Sequence, residues 1–97
     1  MDEMKKQILA GVQAHRDEVL RLSRTIWDYA ERGMGEHRSA AYYTELLRRL
    51  GFAVEENVSG MPTAFIGSWG SGRPVVGFLG EFDALPGLSQ KGGSAVR

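Results

Sequence analysis

The first third of the chain carries apolar residues at helical spacing with polar residues between them. From Glu3 to about Arg32 the sequence contains no proline and only one glycine, Gly11. Intervals of three and four residues place a set of mostly apolar positions on one helical face: Ile8, Val12, His15, Val19, Leu22, Ile26 and Tyr29. The pattern predicts one long amphipathic helix, or two collinear helices.

A second helix is predicted from about His37 to Leu50. Its apolar positions recur at intervals of three and four residues, and two arginines lie in its last turn, beside the negative end of the helix dipole. Gly33 is predicted to end the first helix in a left-handed conformation, and Gly51 to end the second.

Three strands are predicted after the helices, at Phe52–Glu55, Ala64–Trp69 and Pro74–Gly80. The short loop Gly70–Arg73 predicts a hairpin between the second and third strands. The third strand is almost entirely apolar, which indicates burial on both faces. The predicted fold class is therefore α/β, with two helices, about three strands and an irregular tail over residues 88–97.

The predicted elements do not fit inside one small globule. A helix of about 28 residues would be about 42 Å long, whereas a compact chain of this size has a diameter of roughly 32 Å. A strand buried on both faces also needs two covering layers, and the predicted elements supply little more than one. We therefore expect residues 1–97 to be the opening part of a larger α/β domain.

Composition limits which partners and which cellular compartment are expected. The 97 residues include 12 Lys plus Arg and 12 Asp plus Glu, so the formal net charge is zero. A chain with zero net charge has no overall electrostatic attraction for nucleic acid or for an anionic membrane. We therefore expect neither of them as a partner. No apolar run approaches the roughly 20 residues of a membrane helix. The absence of cysteine fits a reducing compartment, so a cytoplasmic location is expected.

Two weaker candidates for chemistry can be set aside from the residues alone. Gly67 and Gly72 have the spacing of a phosphate-binding loop, but Arg73 and Pro74 replace its lysine and hydroxyl residue. The two histidines lack a metal-binding partner at helical spacing. His15, on the apolar stripe, is expected to be a hydrogen-bonded interior histidine or one covered by a neighbour, and His37 to have a local surface role.

Glu81 and Asp83 are the candidate catalytic residues. They stand two positions apart directly after the predicted third strand, so both carboxylates would leave the same face at its C-terminal end. In open α/β sheets this edge is where ligands and metals bind. The spacing alone also permits two solvated loop residues.

The segment Gly80–Gln90, GEFDALPGLSQ, resembles the aminoacylase and carboxypeptidase family of dinuclear-metal amidohydrolases, and in particular its p-aminobenzoyl-glutamate hydrolase branch. The resemblance extends over about residues 15–91, and its specificity lies in the combination of short motifs. Those upstream are Ile26–Glu31, Gly33 with Glu36, Gly51 with Phe52, and Gly60–Phe65.

The resemblance implies hydrolysis of the amide bond of an N-acyl amino acid or dipeptide. Two zinc or manganese ions would activate the water, and a glutamate from elsewhere in the protein would act as the general base. Asp83 matches an aspartate that orients a metal-binding histidine in the carboxypeptidase branch. Glu81 occupies the position of that histidine, so no metal ligand can be assigned within this chain.

The sequence thus predicts an N-terminal fragment of a metal-dependent amidohydrolase, inactive alone because the ligands and the general base would lie elsewhere. Its partner would be a small-molecule amide substrate, whose identity the sequence does not specify. The sequence leaves open whether the chain also forms a homo-oligomer. The alternative is a free-standing, non-catalytic interaction module that binds through its apolar helix face or a sheet edge.

Overall fold

The computed structural model describes residues 2–88. The helices are α1 (Glu3–Ala14), α2 (Arg16–Tyr29) and α3 (His37–Arg49), followed by the strands β1 (Ala53–Glu56) and β2 (Phe65–Ser68) and, between the strands, a short 3₁₀ turn. The α/β class is confirmed. The described residues contain three helices rather than two, and two strands rather than three.

The extra helix arises from a break at His15 in the predicted long helix. The His15 backbone leaves the helical region (φ −100°, ψ 8°), and its ring Nδ1 donates to the Gly11 carbonyl at 2.9 Å. In an uninterrupted helix that carbonyl would accept the His15 backbone N–H, which instead bonds to Val12 at 3.2 Å. His15 is hydrogen-bonded, but it is exposed, so the expectation of an interior or covered histidine was wrong.

α2 ends three residues earlier than predicted. Ala30 adopts the left-handed conformation (φ 48°, ψ 45°) and caps the helix, so the assignment of this role to Gly33 was wrong. A left-handed alanine is costly because its Cβ approaches the following carbonyl. The early end releases Glu31 from the helix, and Glu31 makes contacts with two other parts of the chain that are described below.

α3 ends as the sequence predicted. Gly51 has φ +93°, its N–H donates to Arg48 at 3.0 Å, and the Phe52 N–H donates to Leu47 at 2.9 Å. This pair of bonds is the Schellman motif, which satisfies the last helical carbonyls. A Cβ on Gly51 would lie 2.8 Å from the Trp69 ring, so glycine is also required by the close approach of Trp69, which follows β2.

β1 and β2 form an antiparallel hairpin, with Ala53 opposite Ser68 and Glu56 opposite Phe65. Both strands lie within one residue of their predicted bounds. α3 packs on this hairpin, where a Cβ on Gly67 would lie 3.0 Å from Leu47 Cδ1. The buried residues of the described chain are found mainly on α3: Ser39, Ala40, Thr44, Leu46 and Thr63.

The predicted third strand and its hairpin were wrong for the described residues. Residues 74–80 form no strand and follow β2 as an exposed segment. Val75, Phe78 and Leu79 are 85%, 95% and 99% exposed. A strand buried on both faces requires two covering layers, and the described part of the chain supplies neither. Most of the predicted irregular tail, from residue 89 onward, lies outside the described residues.

The predicted helical stripe divides at the His15 break. On α2, Leu22, Ile26 and Tyr29 are half-buried, whereas Ile8 and Val12 on α1 are 59% and 65% exposed. Among residues 2–88, therefore, only the C-terminal part of the α2 stripe contributes to packing, since Val19 near the start of α2 is 56% exposed. Within the same residues, no helix combines the length and apolar character needed to cross a membrane.

Candidate functional site

The segment that carries Glu81 and Asp83 alternates between exposed and half-buried residues. Glu81 and Asp83 are exposed, while Phe82 and Ala84 between and after them are half-buried. Phe82 stacks in a cluster with Tyr43 of α3 and Phe65 of β2, at ring-centroid distances of 6.3 and 5.8 Å. The two carboxylates thus lie on the same side of an extended segment, although that segment is not the end of a strand.

A backbone hydrogen bond anchors the same segment to the turn after α2. The Ala84 N–H donates to the Glu31 carbonyl at 2.7 Å, and Arg32 and Ala84 form an isolated parallel bridge. A Cβ on Gly33 would lie 3.7 Å from Asp83 Oδ2, so the Asp83 carboxylate lies beside this turn. Phe82 and Ala84 therefore fix the segment on both sides of Asp83.

Glu81 and Asp83 are among the residues that line an open groove of about 690 Å³ beside α2. The apolar side chains of Leu22, Ile26 and Trp27 also line the groove, and Arg32 adds a positive charge. Trp27 is 51% exposed. The groove combines a broad apolar surface with two carboxylates and one guanidinium, a composition typical of ligand sites in which a few polar groups fix the orientation.

Glu31, which the sequence reasoning did not single out, caps α3 from outside the helix. Its Oε2 accepts the Arg38 N–H at 3.0 Å, and its Oε1 accepts the Ser39 N–H at 2.7 Å. These are the donors that an N-cap side chain normally satisfies. Glu36 occupies the N-cap position but makes no such bond; its Oε1 accepts the Thr63 hydroxyl at 3.3 Å.

The electrostatics of this cap favour an ionised carboxylate. Partial burial raises the pKa of Glu31, but the N–H groups of Ser39 and Arg38 and the Arg38 charge outweigh this effect and lower the pKa below its ordinary value. The positive end of the α3 dipole acts in the same direction. The Arg38 guanidinium lies 4.0 Å from the centre of the Tyr29 ring, which adds a contact between α2 and α3.

A sequence signal for this cap existed. The residues at the start of α3, Glu36 and His37, are poor N-caps, so the helix needed an acceptor from elsewhere. Glu31 also lies within the Ile26–Glu31 run that contributed to the family resemblance. Its partner, however, depends on the turn between the helices, which spacing alone does not determine.

The described residues do not assemble a metal site by themselves. Among residues 2–88, no three His, Cys, Asp or Glu side chains converge closely enough to hold a metal ion. His15 lies at the α1–α2 break and His37 at the start of α3. The donor set of the described chain therefore does not fit the dinuclear centre that the resemblance implies.

Comparisons with known proteins identify relatives for nearly the whole chain. It is 41% identical over 95 residues to a p-aminobenzoyl-glutamate hydrolase subunit of Escherichia coli strain K12, covering 98% of the chain and 20% of the relative. It is 31% and 30% identical over 86 residues to thermostable carboxypeptidases 1 and 2 of Saccharolobus solfataricus, covering 87% of the chain and 22% of each relative.

No family model matches the chain, and no solved structure matches it. The chain spans about one fifth of the length of the curated relatives it matches. These relatives confirm the resemblance found around Gly80–Gln90, and the chain belongs to the amidohydrolase and carboxypeptidase family.

Proposed function

We propose that this chain forms part of the catalytic domain of a metal-dependent amidohydrolase that cleaves the amide bond of N-acyl amino acids or dipeptides, including p-aminobenzoyl-glutamate. The identity of 41% over 98% of the chain to the p-aminobenzoyl-glutamate hydrolase of Escherichia coli carries the proposal. The position of Asp83 beside an open groove is consistent with it. A cytoplasmic location belongs to the proposal, favoured by the cysteine-free sequence.

In this proposal Asp83 orients a metal-binding side chain supplied by another part of the protein. An orienting carboxylate must be held rigidly, and Phe82 and Ala84 anchor Asp83 from both sides. Glu81 lies on the same side and is the weaker candidate. Residues 2–88 bring together no metal-binding cluster, so the ligands of zinc or manganese would come from other parts of the protein.

A chimaera tests the proposed function directly. The 95 residues of the Escherichia coli relative that match this chain are replaced by the residues of this chain, and p-aminobenzoyl-glutamate hydrolysis is measured with zinc or manganese. We expect a folded chimaera to hydrolyse the substrate, and Asp83→Asn to lower kcat/KM by about 10- to 100-fold, the usual effect of losing an orienting carboxylate.

Glu55→Gln is the matched control, since Glu55 is an exposed carboxylate on β1 and should leave kcat/KM unchanged. Glu81→Gln should have a smaller effect than Asp83→Asn. A folded, metal-loaded chimaera without activity would argue against the proposal, as would equal activity of the Asp83 and Glu55 variants.

The isolated 97-residue chain is expected to be inactive. With zinc or manganese and an N-acyl-glutamate substrate, turnover should stay at background, because the proposed ligands and general base lie outside the chain. Turnover well above background would show that the chain carries the complete machinery.

An interaction module is the second candidate, favoured by the exposed apolar residues Ile8, Leu9 and Val12 of α1. The Escherichia coli relative is named as a hydrolase subunit, and assembly of this chain, including a homo-oligomer, is part of this candidate. It predicts a single oligomeric species and a sharp thermal transition. Sedimentation and calorimetry of wild-type chain and Val12→Ser would distinguish the two candidates.

A further inference from the structure

We propose that Glu31 is a positioning residue, whose carboxylate holds the Asp83 segment in place by fixing the turn between α2 and α3. The side chain of Glu31 binds the start of α3, and its backbone carbonyl binds the N–H of Ala84. One residue therefore joins the end of α2, the start of α3 and the segment that carries Asp83. The relevance of Asp83 rests on the proposed function; the contacts of Glu31 do not.

The start of α3 depends on Glu31 for the partners of two backbone N–H groups. The first four backbone N–H groups of an α-helix have no partner within the helix. In α3, the His37 N–H donates to Gly35 at 2.9 Å and the Ala40 N–H to Glu36 at 2.9 Å. The two between them, of Arg38 and Ser39, donate to the Glu31 carboxylate. Because each oxygen accepts one bond, the orientation of the carboxylate is fixed.

The backbone around Glu31 needs this restraint. Ala30, the preceding residue, has the left-handed conformation with φ 48°, which is unfavourable for alanine. An unfavourable conformation persists only where surrounding contacts enforce it. The bonds of the Glu31 carboxylate supply such contacts directly after Ala30, and they turn the Glu31 carbonyl toward the Ala84 N–H.

Two contacts hold the Asp83 segment in place: the hydrogen bond between Ala84 and Glu31, and the packing of the Phe82 ring. The two contacts restrain the segment in different ways. The Phe82 ring packs among Tyr43 and Phe65, a contact that tolerates some sliding. The bond between Ala84 and Glu31 at 2.7 Å determines the register of the segment along the turn. Since Asp83 immediately precedes Ala84, loss of this bond would shift Asp83 relative to Gly33.

Amide hydrogen exchange tests the proposal on the full 97-residue chain, without metal or substrate. The bond from Ala84 goes to a backbone carbonyl, which is present whatever the side chain at position 31. We expect Ala84 in the wild-type chain to exchange about 10-fold or more slowly than Val76 of the exposed segment. Glu31→Ala should remove most of this protection, although it removes no partner of the Ala84 amide.

Glu31→Gln should retain part of the protection, because its amide oxygen can still accept one of the two bonds. Glu36→Ala is the matched control and should leave Ala84 exchange unchanged, since the Glu36 carboxylate accepts the Thr63 hydroxyl and the Glu36 carbonyl, which accepts the Ala40 N–H, is retained in the variant. The Phe52 amide, bonded to Leu47 at the far end of α3, reports on the rest of the fold. It should stay protected in the Glu31 variants.

Three results would overturn the proposal. They are a wild-type Ala84 amide that exchanges as fast as Val76, unchanged Ala84 protection in Glu31→Ala, and equal loss at Ala84 and Phe52 in both Glu31 variants. The last result would mean that Glu31 supports the whole fold rather than this segment. Because exchange is measured without catalysis, a failed exchange test leaves the chimaera test of hydrolysis independent.

Discussion

Two apolar regions of this chain differ in burial: one is packed and the other is exposed to solvent. In the packed unit, which comprises α3 and the β1–β2 hairpin (residues 37–68), Leu46 is only 5% exposed. In the exposed run, residues 74–79, Leu79 is 99% exposed. Both regions have the apolar pattern of buried structure, but only the first has an opposing surface within the described residues. Apolar sequence specifies a preference for burial, and a second surface is needed to achieve it.

The candidate site lies directly after the exposed run and is anchored to the packed unit. Phe82 contacts the aromatic side chains of α3 and β2, and Ala84 bonds to the turn before α3. The packed unit, and not a third strand, therefore holds the candidate site in place. Variants that separate the two regions test this interpretation.

The largest difference is expected between Leu46→Ala and Leu79→Ala. Loss of a buried leucine side chain typically costs about 2 to 5 kcal/mol, whereas an exposed substitution stays within about 0.5 kcal/mol. Urea unfolding followed by circular dichroism measures both. Similar losses in the two variants would mean that the exposed run is buried in solution.

A smaller difference is expected between Gly51→Ala and Gly70→Ala. Both glycines have positive φ, +93° and +80°, but only a Cβ at position 51 meets another residue, at 2.8 Å from the Trp69 ring. Gly70→Ala should cost about 1 to 2 kcal/mol from the backbone alone, and Gly51→Ala about 1 kcal/mol more from overpacking. Equal thermal destabilisation would contradict the close contact between Trp69 and the end of α3.

The pH dependence of stability should report the Glu31 cap. The pKa of Glu31 is lowered in the folded chain by the Ser39 and Arg38 N–H groups and the Arg38 charge, despite partial burial. The stabilisation is therefore fully present above the ordinary carboxyl value of 4.5 and is lost as the pH falls through the lower folded value.

Glu31→Gln should flatten this acidic limb of the stability curve, while Glu55→Gln, at an exposed position of β1, should not. Thermal melts between about pH 3 and pH 6 follow the transition. If stability still falls at acidic pH to the same extent in Glu31→Gln, the loss of stability arises from other carboxylates.

The smallest effect is expected at the ion pair that joins α3 to β1. Arg48 Nη2 lies 2.8 Å from Glu56 Oε2, with the two side chains 48% and 44% exposed. A double-mutant cycle with Arg48→Ala and Glu56→Ala should give a coupling of about 0.2 to 1 kcal/mol that weakens with salt. A larger coupling would mean that this surface pair contributes substantially to the packed unit.

Local elements were predictable where the chain specifies them over short distances. The bounds of α3, its end at Gly51 and the positions of both observed strands followed from periodicity and turn residues. The predictions failed where a distant contact decides the outcome. Ala30 rather than Gly33 ends α2, because Glu31 binds α3 and Ala84, and the run after Pro74 forms no strand among the described residues.

The candidate site was predictable in part. The spacing of Glu81 and Asp83 predicted two carboxylates on one face at the end of a third strand; the structure has no strand there, although both carboxylates are exposed beside half-buried Phe82 and Ala84. Glu31 was missed because its role depends on a cap across the helix turn, and no periodicity marks such a contact. The catalytic role of Asp83 and Glu81 stays a prediction that the chimaera can test.

By itself, the sequence determined the α/β class, the helical and strand propensities of most elements and the family to which the chain belongs. These depend on local spacing and on motifs that are visible within a few residues. Tertiary structure alone decided which apolar segments are buried and which residue caps α3. Burial and capping require a second surface or a distant hydrogen-bond partner, and only the folded chain brings Glu31, Ser39 and Ala84 together.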